Sequence, residues 1–255
     1  MAQPTFDVVI PARLGSTRLP GKVLADIHGK PLIAHVVDRA REAGARDIVV
    51  ATDSERVAEA CHAIGADVQL TSPLHHSGTD RVHEVATARQ WDDKRLVVNL
   101  QGDEPLMPAS VIAACARRLA EDPEAEIATC AHRIAAVEDF VRPNVVKVVC
   151  DVRGRALYFS RARIPFPRDG DEQTLPKGSL RHIGLYGYRV AALRRFASLQ
   201  PGNLEQCESL EQLRALEQGM RLTVAIVDEA PGRGVDAQED LDAVRVLLRP
   251  DGQGG

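Results

Sequence analysis

The sequence predicts an α/β fold with a mostly parallel sheet. Short β-branched runs alternate with segments of helical spacing through the first half of the chain. No internal repeat interrupts that order, and 255 residues with 44% hydrophobic content are enough for one large core.

Residues 6–10 form a β-branched run that reads as a buried strand. Residues 31–42 carry apolar side chains at Leu32, Ile33, Val36, Val37 and Ala40, which is helical spacing, and Pro31 suits a first helical position. Residues 47–51 read as a second strand. Residues 54–64 read as a helix stopped by Gly65. Residues 67–70 are a third strand, 78–89 a helix, 96–100 another buried strand and 108–120 another helix. Alternation of this kind implies right-handed crossovers, with ligands beyond the carboxyl ends of the strands. The loops after Ile10 and Leu100 therefore draw attention.

The second half is less regular. Residues 126–132, 145–150, 182–190 and 222–227 read as strands, and 205–217 and 238–248 as helices. Residues 165–180, rich in Pro, Gly and charge, read as a mobile loop or lid. Residues 250–255 read as a disordered tail.

Composition excludes several classes. The formal net charge is −4 and no long basic stripe occurs, so no nucleic-acid partner is expected. The cysteines Cys61, Cys115, Cys130, Cys150 and Cys207 are odd in number, scattered and free of any C-x-x-C pair, and the first four sit in apolar runs. They read as free thiols. No signal-like start and no apolar run near ~20 residues is present, so the expected location is the cytoplasm, without membrane insertion.

The loop P-A-R-L-G-S-T-R-L-P-G-K at 11–22 brings three cations, two glycines and two hydroxyls into one turn-rich segment. Successive backbone N–H groups there can form an anion nest, with Arg13 and Lys22 neutralising a triphosphate. The spacing is neither a Walker A loop nor a G-x-G-x-x-G turn. Asp103 follows a buried strand, and Asp236 lies in G-R-G-V-D at 232–236. A bound polyphosphate commonly brings Mg²⁺, which favours one or two carboxylates plus phosphate oxygens, and two acids distant in sequence could meet across a site. Asp236 with Glu239 also has the spacing of a helix capping box, and one residue can serve both ends.

Further segments are H-S-G-T-D-R at 76–81, N-L-Q-G-D-E-P at 99–105, P-N-V-V-K-V at 143–148, A-L-Y-F-S-R at 156–161, R-H-I-G-L-Y-G-Y at 181–188 and residues 231–241. With the loop at 11–22 they resemble the 3-deoxy-manno-octulosonate (Kdo) cytidylyltransferases, in order and at compatible spacing from about Val8 to about Val246. The resemblance implies a Rossmann-like sheet of the nucleotide-diphospho-sugar transferase type in one domain over 1–249. A sugar-binding and dimerisation insertion is implied at about 130–200, and a homodimer with it. The implied reaction is in-line attack of the sugar's anomeric hydroxyl on the α-phosphate of CTP, giving the CMP-sugar and pyrophosphate for lipopolysaccharide assembly.

The resemblance makes Asp103 and Asp236 the Mg²⁺ ligands. It places Ala12, Ser77, Gly78, Thr79 and Arg81, with Arg13 and Lys22, around the nucleotide. Ser77 or Thr79 could instead serve as a helix cap. An acidic ulosonic sugar needs a cation and many polar groups, for which Gln101, Arg161, Arg181, His182, Glu211 and Gln212 are the candidates. Glu208, Glu211 and Gln212 share one face of a helix over 205–217, a face that could also be merely solvated. Tyr186 and Tyr188 read as core or pocket wall. His75, His76 and His83 match no ligand spacing. Alternative acceptors are 8-amino-Kdo or a sialic acid, and a rival class is a catalytically idle nucleotide-binding regulator.

Overall fold

The computed structural model describes residues 4–16, 18–171 and 174–249. The phosphate-loop residue Thr17 and the tail expected at 250–255 lie outside these residues. In chain order the elements begin with β1 (Asp7–Pro11), the short hairpin β2 (Asp26–Ile27) and β3 (Lys30–Pro31), and α1 (Leu32–Glu42). There follow β4 (Ile48–Thr52), α2 (Glu55–Ala63), β5 (Asp67–Leu70), α3 (Gly78–Ala88), β6 (Leu96–Asn99) and α4 (Ala109–Glu121). The second half comprises β7 (Ile127–Arg133), α5 (Val137–Val141), β8 (Lys147–Cys150), β9 (Ala156–Ser160), β10 (Leu180–Arg189) and α6 (Val190–Ala197). It closes with α7 (Asn203–Glu208), α8 (Gln212–Glu217), β11 (Leu222–Val227) and α9 (Gln238–Leu247).

The main sheet has the order β11-β7-β10-β6-β1-β4-β5. β1 pairs parallel with β4 and β6, β4 with β5, and β7 with β11. β10 runs antiparallel to both β6 and β7 and splits the parallel sheet into two blocks. β1 is buried at every position, as a central strand covered on both faces must be. One apolar layer gathers Phe6, Ile10, Leu32, Ile33 and Val36 from β1 and α1, with Val111 and Ile112 of α4. The opposite layer packs Val82 and Val85 of α3 against Tyr188, Leu193 and Phe196. Among the described residues no helix is long and apolar enough to cross a membrane.

Most expected elements occur within a residue or two of their sequence bounds, and the departures are local. Pro31 stands at the N-cap of α1 in extended conformation, one residue before the helix proper. The β2–β3 hairpin, β9, α5 and α6 have no counterpart among the expected elements. The helix expected over 205–217 is broken into α7 and α8, because Ser209 adopts φ 50 and ψ 51. Glu208 therefore does not share a continuous helical face with Glu211 and Gln212. Cys61, Cys115 and Cys130 are buried free thiols, whereas Cys150 is only half-buried.

The β8–β9 hairpin joins the sheet through Leu180 and Arg181 of β10. Its anchor is Lys147, whose side chain is fully buried. The ammonium donates to the carbonyls of Arg142, Val145 and Arg161 at 3.0, 2.6 and 2.7 Å. Burial pulls its pKa below the ordinary lysine value. Each of its three N–H bonds has an acceptor, so the cation ties the loop before β8 to the end of β9. Lys147→Met keeps the volume but leaves three carbonyls without their donor. It is expected to lower the unfolding free energy by about 2–4 kcal/mol, measured from urea midpoints. A loss under about 0.5 kcal/mol would show that the hairpin does not depend on this anchor.

Candidate active site

The cleft lies where the carboxyl ends of β1, β4 and β6 meet. β1 ends at Pro11, and the Ala12 N–H donates to Ala51 O of β4 at 2.8 Å, so the phosphate loop departs along the sheet edge. The loop closes on itself at Gly21, whose N–H donates to Leu14 O at 3.1 Å. Gly21 has φ 71, a conformation that costs a side-chain-bearing residue energy, and it leads into a single 3₁₀ turn at Lys22–Leu24. That turn aims Lys22 inward. Its Nζ donates to Asp103 Oδ2 at 2.6 Å, Val235 O at 2.7 Å and Asp236 Oδ1 at 3.1 Å.

Backbone pairing explains why two acids so distant in sequence converge. The Gly102 N–H donates to Pro11 O at 3.1 Å, which holds the loop after β6 against the loop after β1. A Cβ on Gly102 would stand 2.7 Å from Pro11 O and 3.2 Å from the Ala12 Cβ, so only glycine fits this approach. The Val235 N–H donates to Asp103 O at 2.8 Å and fastens the segment after β11 to the same place. The expected capping box between Asp236 and Glu239 does not form. Asp240 instead accepts from the Asp236 and Ala237 N–H groups at 3.1 and 3.0 Å. The Asp236 carboxylate is left for Lys22 and for Arg18, which pairs with its Oδ2 at 2.9 Å. Glu104 lies beneath this cluster, where burial, with Asp103 and Asp236 adding to it and Lys22 opposing, pushes its carboxyl up to about 8.

Arg18, Lys22, Gly102, Asp103 and Asp236 are among the residues that line a cleft of about 240 Å³. Of the residues expected at the nucleotide, Arg13, Lys22, Ser77, Gly78 and Arg81 border it, as do Asp103, Asp236 and Gln101. Ala12 lies beneath the surface against Gly102. Thr79 is buried and turns away, its hydroxyl donating to Glu211 Oε2 at 3.0 Å. Ser77 is the cap of α3, in a capping box with Asp80. Arg81 borders the cleft, but its guanidinium is already engaged with Asp53 at 2.6 Å and Thr71 Oγ1 at 2.7 Å. Ser16, Arg18, His75 and His76 also border the cleft and were not singled out for it. Arg18 and Ser16 were visible in the phosphate-loop motif. The histidines immediately precede the Ser77 turn but resemble no ligand pattern. His75 is held to Glu84 at 2.5 Å.

The residues expected at the sugar, other than Gln101, do not border this cleft. Arg161 donates to the carbonyls of Glu208, Ser209 and Pro143, so its guanidinium braces the α7–α8 break. Glu208 accepts from Ser160 Oγ at 2.5 Å and from the Arg161 N–H at 2.9 Å. Arg181 is exposed on β10. His182 pairs with Thr129 Oγ1 at 2.9 Å, and burial pulls its pKa down to about 3. Gln212 is buried, with Nε2 unpaired among the described residues. Burial raises the Glu211 carboxyl, while bonds from Thr79 and Ser77 oppose the shift. The rings of His182, Tyr186 and Tyr188 follow one another in tilted contacts, with centroids 5.5 and 6.2 Å apart. Tyr188 belongs to the core, and Tyr186 packs against it.

A family model described as cytidylyltransferase matches residues 8–222. The 3-deoxy-manno-octulosonate cytidylyltransferase of Halorhodospira halophila is 53% identical over 254 residues, covering 98% of this chain and 99% of that protein. The chain belongs to the 3-deoxy-manno-octulosonate cytidylyltransferase family. A solved structure described as CMP:2-keto-3-deoxy-manno-octonic acid synthetase complexed with CTP superposes with a TM-score of 0.88 at 41% identity, covering 96% of this chain and 98% of that one. For a cytidylyltransferase, the donor set here fits a hard divalent cation. Two carboxylates converge beside the phosphate loop, and among the described residues no group of three or more His, Cys, Asp or Glu forms a complete cage. A cation using Asp103 and Asp236 would need further oxygens from nucleotide phosphates, as Mg²⁺ commonly does.

Two outcomes follow from this geometry. Gly102→Ala drives a methyl group into Pro11 O, so CTP affinity should fall at least about tenfold with a stability loss of about 1–3 kcal/mol. Calorimetric titration with CTP together with a urea melt checks this, and an unchanged affinity would contradict it. His182 has a folded pKa near 3 against an ordinary value of 6.5, so the unfolded chain binds the extra proton first. Stability is therefore lost as pH falls below about 6.5, by about 1 kcal/mol between pH 7.5 and 5.5. His182→Gln should remove that part of the acid sensitivity in urea melts at the two pH values.

Proposed function

We propose that this chain transfers CMP from CTP to 3-deoxy-manno-octulosonate, releasing pyrophosphate, with a divalent cation held by Asp103 and Asp236. The observation that carries the reading is the meeting of Lys22, Asp103 and Asp236 at one wall of the cleft that the phosphate loop borders. The relatives' names supply the substrates, CTP and the eight-carbon acidic sugar.

The chain's own residues have separable tasks. Arg13, Arg18 and Ser16 border the cleft with the loop and can take the triphosphate oxygens. Ser77 and Gly78 form a turn at the opposite rim, suited to the base and ribose. Arg81 is locked by Asp53 and Thr71, so it shapes that wall rigidly. Gln101 stands between Gly78 and the metal loop, where a sugar hydroxyl can meet the α-phosphate. Behind the Ser77 turn, Glu211 accepts from Thr79 and the rings of Tyr186 and His182 meet, polar and aromatic groups of the kind a polyhydroxylated acceptor would use. When bound, a divalent cation would neutralise phosphate charge and lower the pKa of the attacking hydroxyl. Holding the reactants in line accounts for much of the remaining acceleration. The homodimer that the resemblance implies and the cytoplasmic location expected from the sequence belong to the same proposal.

Pyrophosphate release from CTP and Mg²⁺ should be fast with 3-deoxy-manno-octulosonate and slower with its 8-amino analogue or a sialic acid. Reversal of that order would overturn the acceptor assignment. Asp103→Asn should reduce kcat by about 10³-fold or more while CTP still raises the melting temperature. Near-normal turnover in that variant would remove Asp103 from the reaction.

A further inference from the structure

We infer that Lys22 is a resident counter-cation that keeps Asp103 and Asp236 assembled, and resists a divalent cation, until a triphosphate arriving with its own cation draws it away. The inference rests on the reading that these two acids hold the metal.

An ammonium has three N–H donors, and Lys22 spends all three inside the acid pair, on Asp103, Asp236 and the Val235 carbonyl. None is left over for a phosphate. Its side chain is only 11% exposed, so the contacts are screened much less than a surface pair would be. Arg18 takes the other oxygen of Asp236. Two acids and two cations thus form a neutral cluster before any ligand arrives. A divalent ion entering this cluster gains little from the acids, because their charge is compensated, and it meets the ammonium at short range.

A triphosphate changes both sides of the balance. Lys22 sits on a flexible four-carbon stem next to the loop that would cradle the phosphates, so it can exchange carboxylates for phosphate oxygens without moving the backbone. The acids are then free, and the phosphates offer the metal its remaining oxygens. Metal and nucleotide should therefore strengthen each other's binding, and the coupling must be reciprocal. Until then the ammonium prevents the two carboxylates from repelling each other apart.

Mn²⁺ serves as the probe, with free Mn²⁺ counted by electron paramagnetic resonance in the absence of nucleotide. Lys22→Met should bind Mn²⁺ at least about tenfold more tightly than the parent protein, and Lys22→Arg, which keeps the charge, should not. A parallel measurement guards the metal reading. Mn²⁺ should raise the melting temperature of the CTP-bound parent above that with CTP alone, and Asp103→Asn with Asp236→Asn should abolish the increment. If the increment is present but Lys22→Met binds Mn²⁺ no better than the parent, the counter-cation role is wrong and the metal site stands. If the increment is absent, both fall. Should Lys22→Met not fold, the ¹⁵Nζ resonance of Lys22 in the parent protein decides. It should shift on adding CTP and Mg²⁺ together and stay in place with Mg²⁺ alone; a resonance that ignores the nucleotide overturns the inference.

Discussion

Every functional feature of this protein depends on one backbone constraint, the pinning of three loops into a single corner. The loop after β1 and the loop after β6 are held together through Gly102 and Pro11, and the segment after β11 is held to the second through Val235 and Asp103. Parallel pairing of β1 with β6 sets the first contact, since neighbouring parallel strands release their loops at the same edge. The second is less obvious. β11 lies at the far side of the sheet, beyond β7 and β10, and its chain must return across the carboxyl edge before α9. The short path through Gly232 and Gly234 makes that return, and Asp240 fixes its end by accepting from two backbone N–H groups.

The two halves of the site solve different physical problems. The nucleotide side is open and carries its cations on a loop, as a highly charged ligand that must enter and leave requires. The surroundings of His182 and Glu211 are desolvated. His182 is held neutral at ordinary pH and the Glu211 carboxyl is raised, both by burial. Burial of this kind makes each polar group costly unless it is paired, and both are paired within the chain, His182 with Thr129 and Glu211 with Thr79. The β8–β9 hairpin and the α7–α8 break in turn owe their shape to cations bonded to carbonyls. Lys147 and Arg161 together take carbonyls from the 142–145 loop, the end of β9 and the α7–α8 break.

Periodicity in the sequence located β1, β4, β5 and β6 and the helices α1 to α4 well, because apolar spacing is a local property. It did not locate β10 as the antiparallel strand between two parallel blocks, since partner choice is not encoded in the spacing of one segment. The helix expected over 205–217 failed at Ser209, where the Glu208–Arg161 contacts outweigh local propensity. Most of the nucleotide side was legible, because charge clustered in a loop after a strand is itself a chemical signal. Arg161 illustrates the limit: an arginine in a strongly characteristic motif can serve the backbone rather than a ligand, and only its three carbonyl partners reveal which. His75 and His76 were missed for the opposite reason, because their position on the rim comes from the loop's course and not from any spacing between them.

The two cations on Asp236 look equivalent in distance but not in consequence. Arg18 and Asp236 are 66% and 52% exposed, and a pair so exposed contributes about 0–1 kcal/mol. Arg18 can leave the acid for a phosphate at almost no cost. Lys22 is nearly enclosed, and its departure would strand Asp103 beside Asp236 with their charges uncompensated on that side. Lys22 can therefore move only when something else supplies positive charge to the acids in the same event. The loop is free to recognise the triphosphate through its exposed arginines first, and the corner itself responds only to a ligand that arrives with its cation.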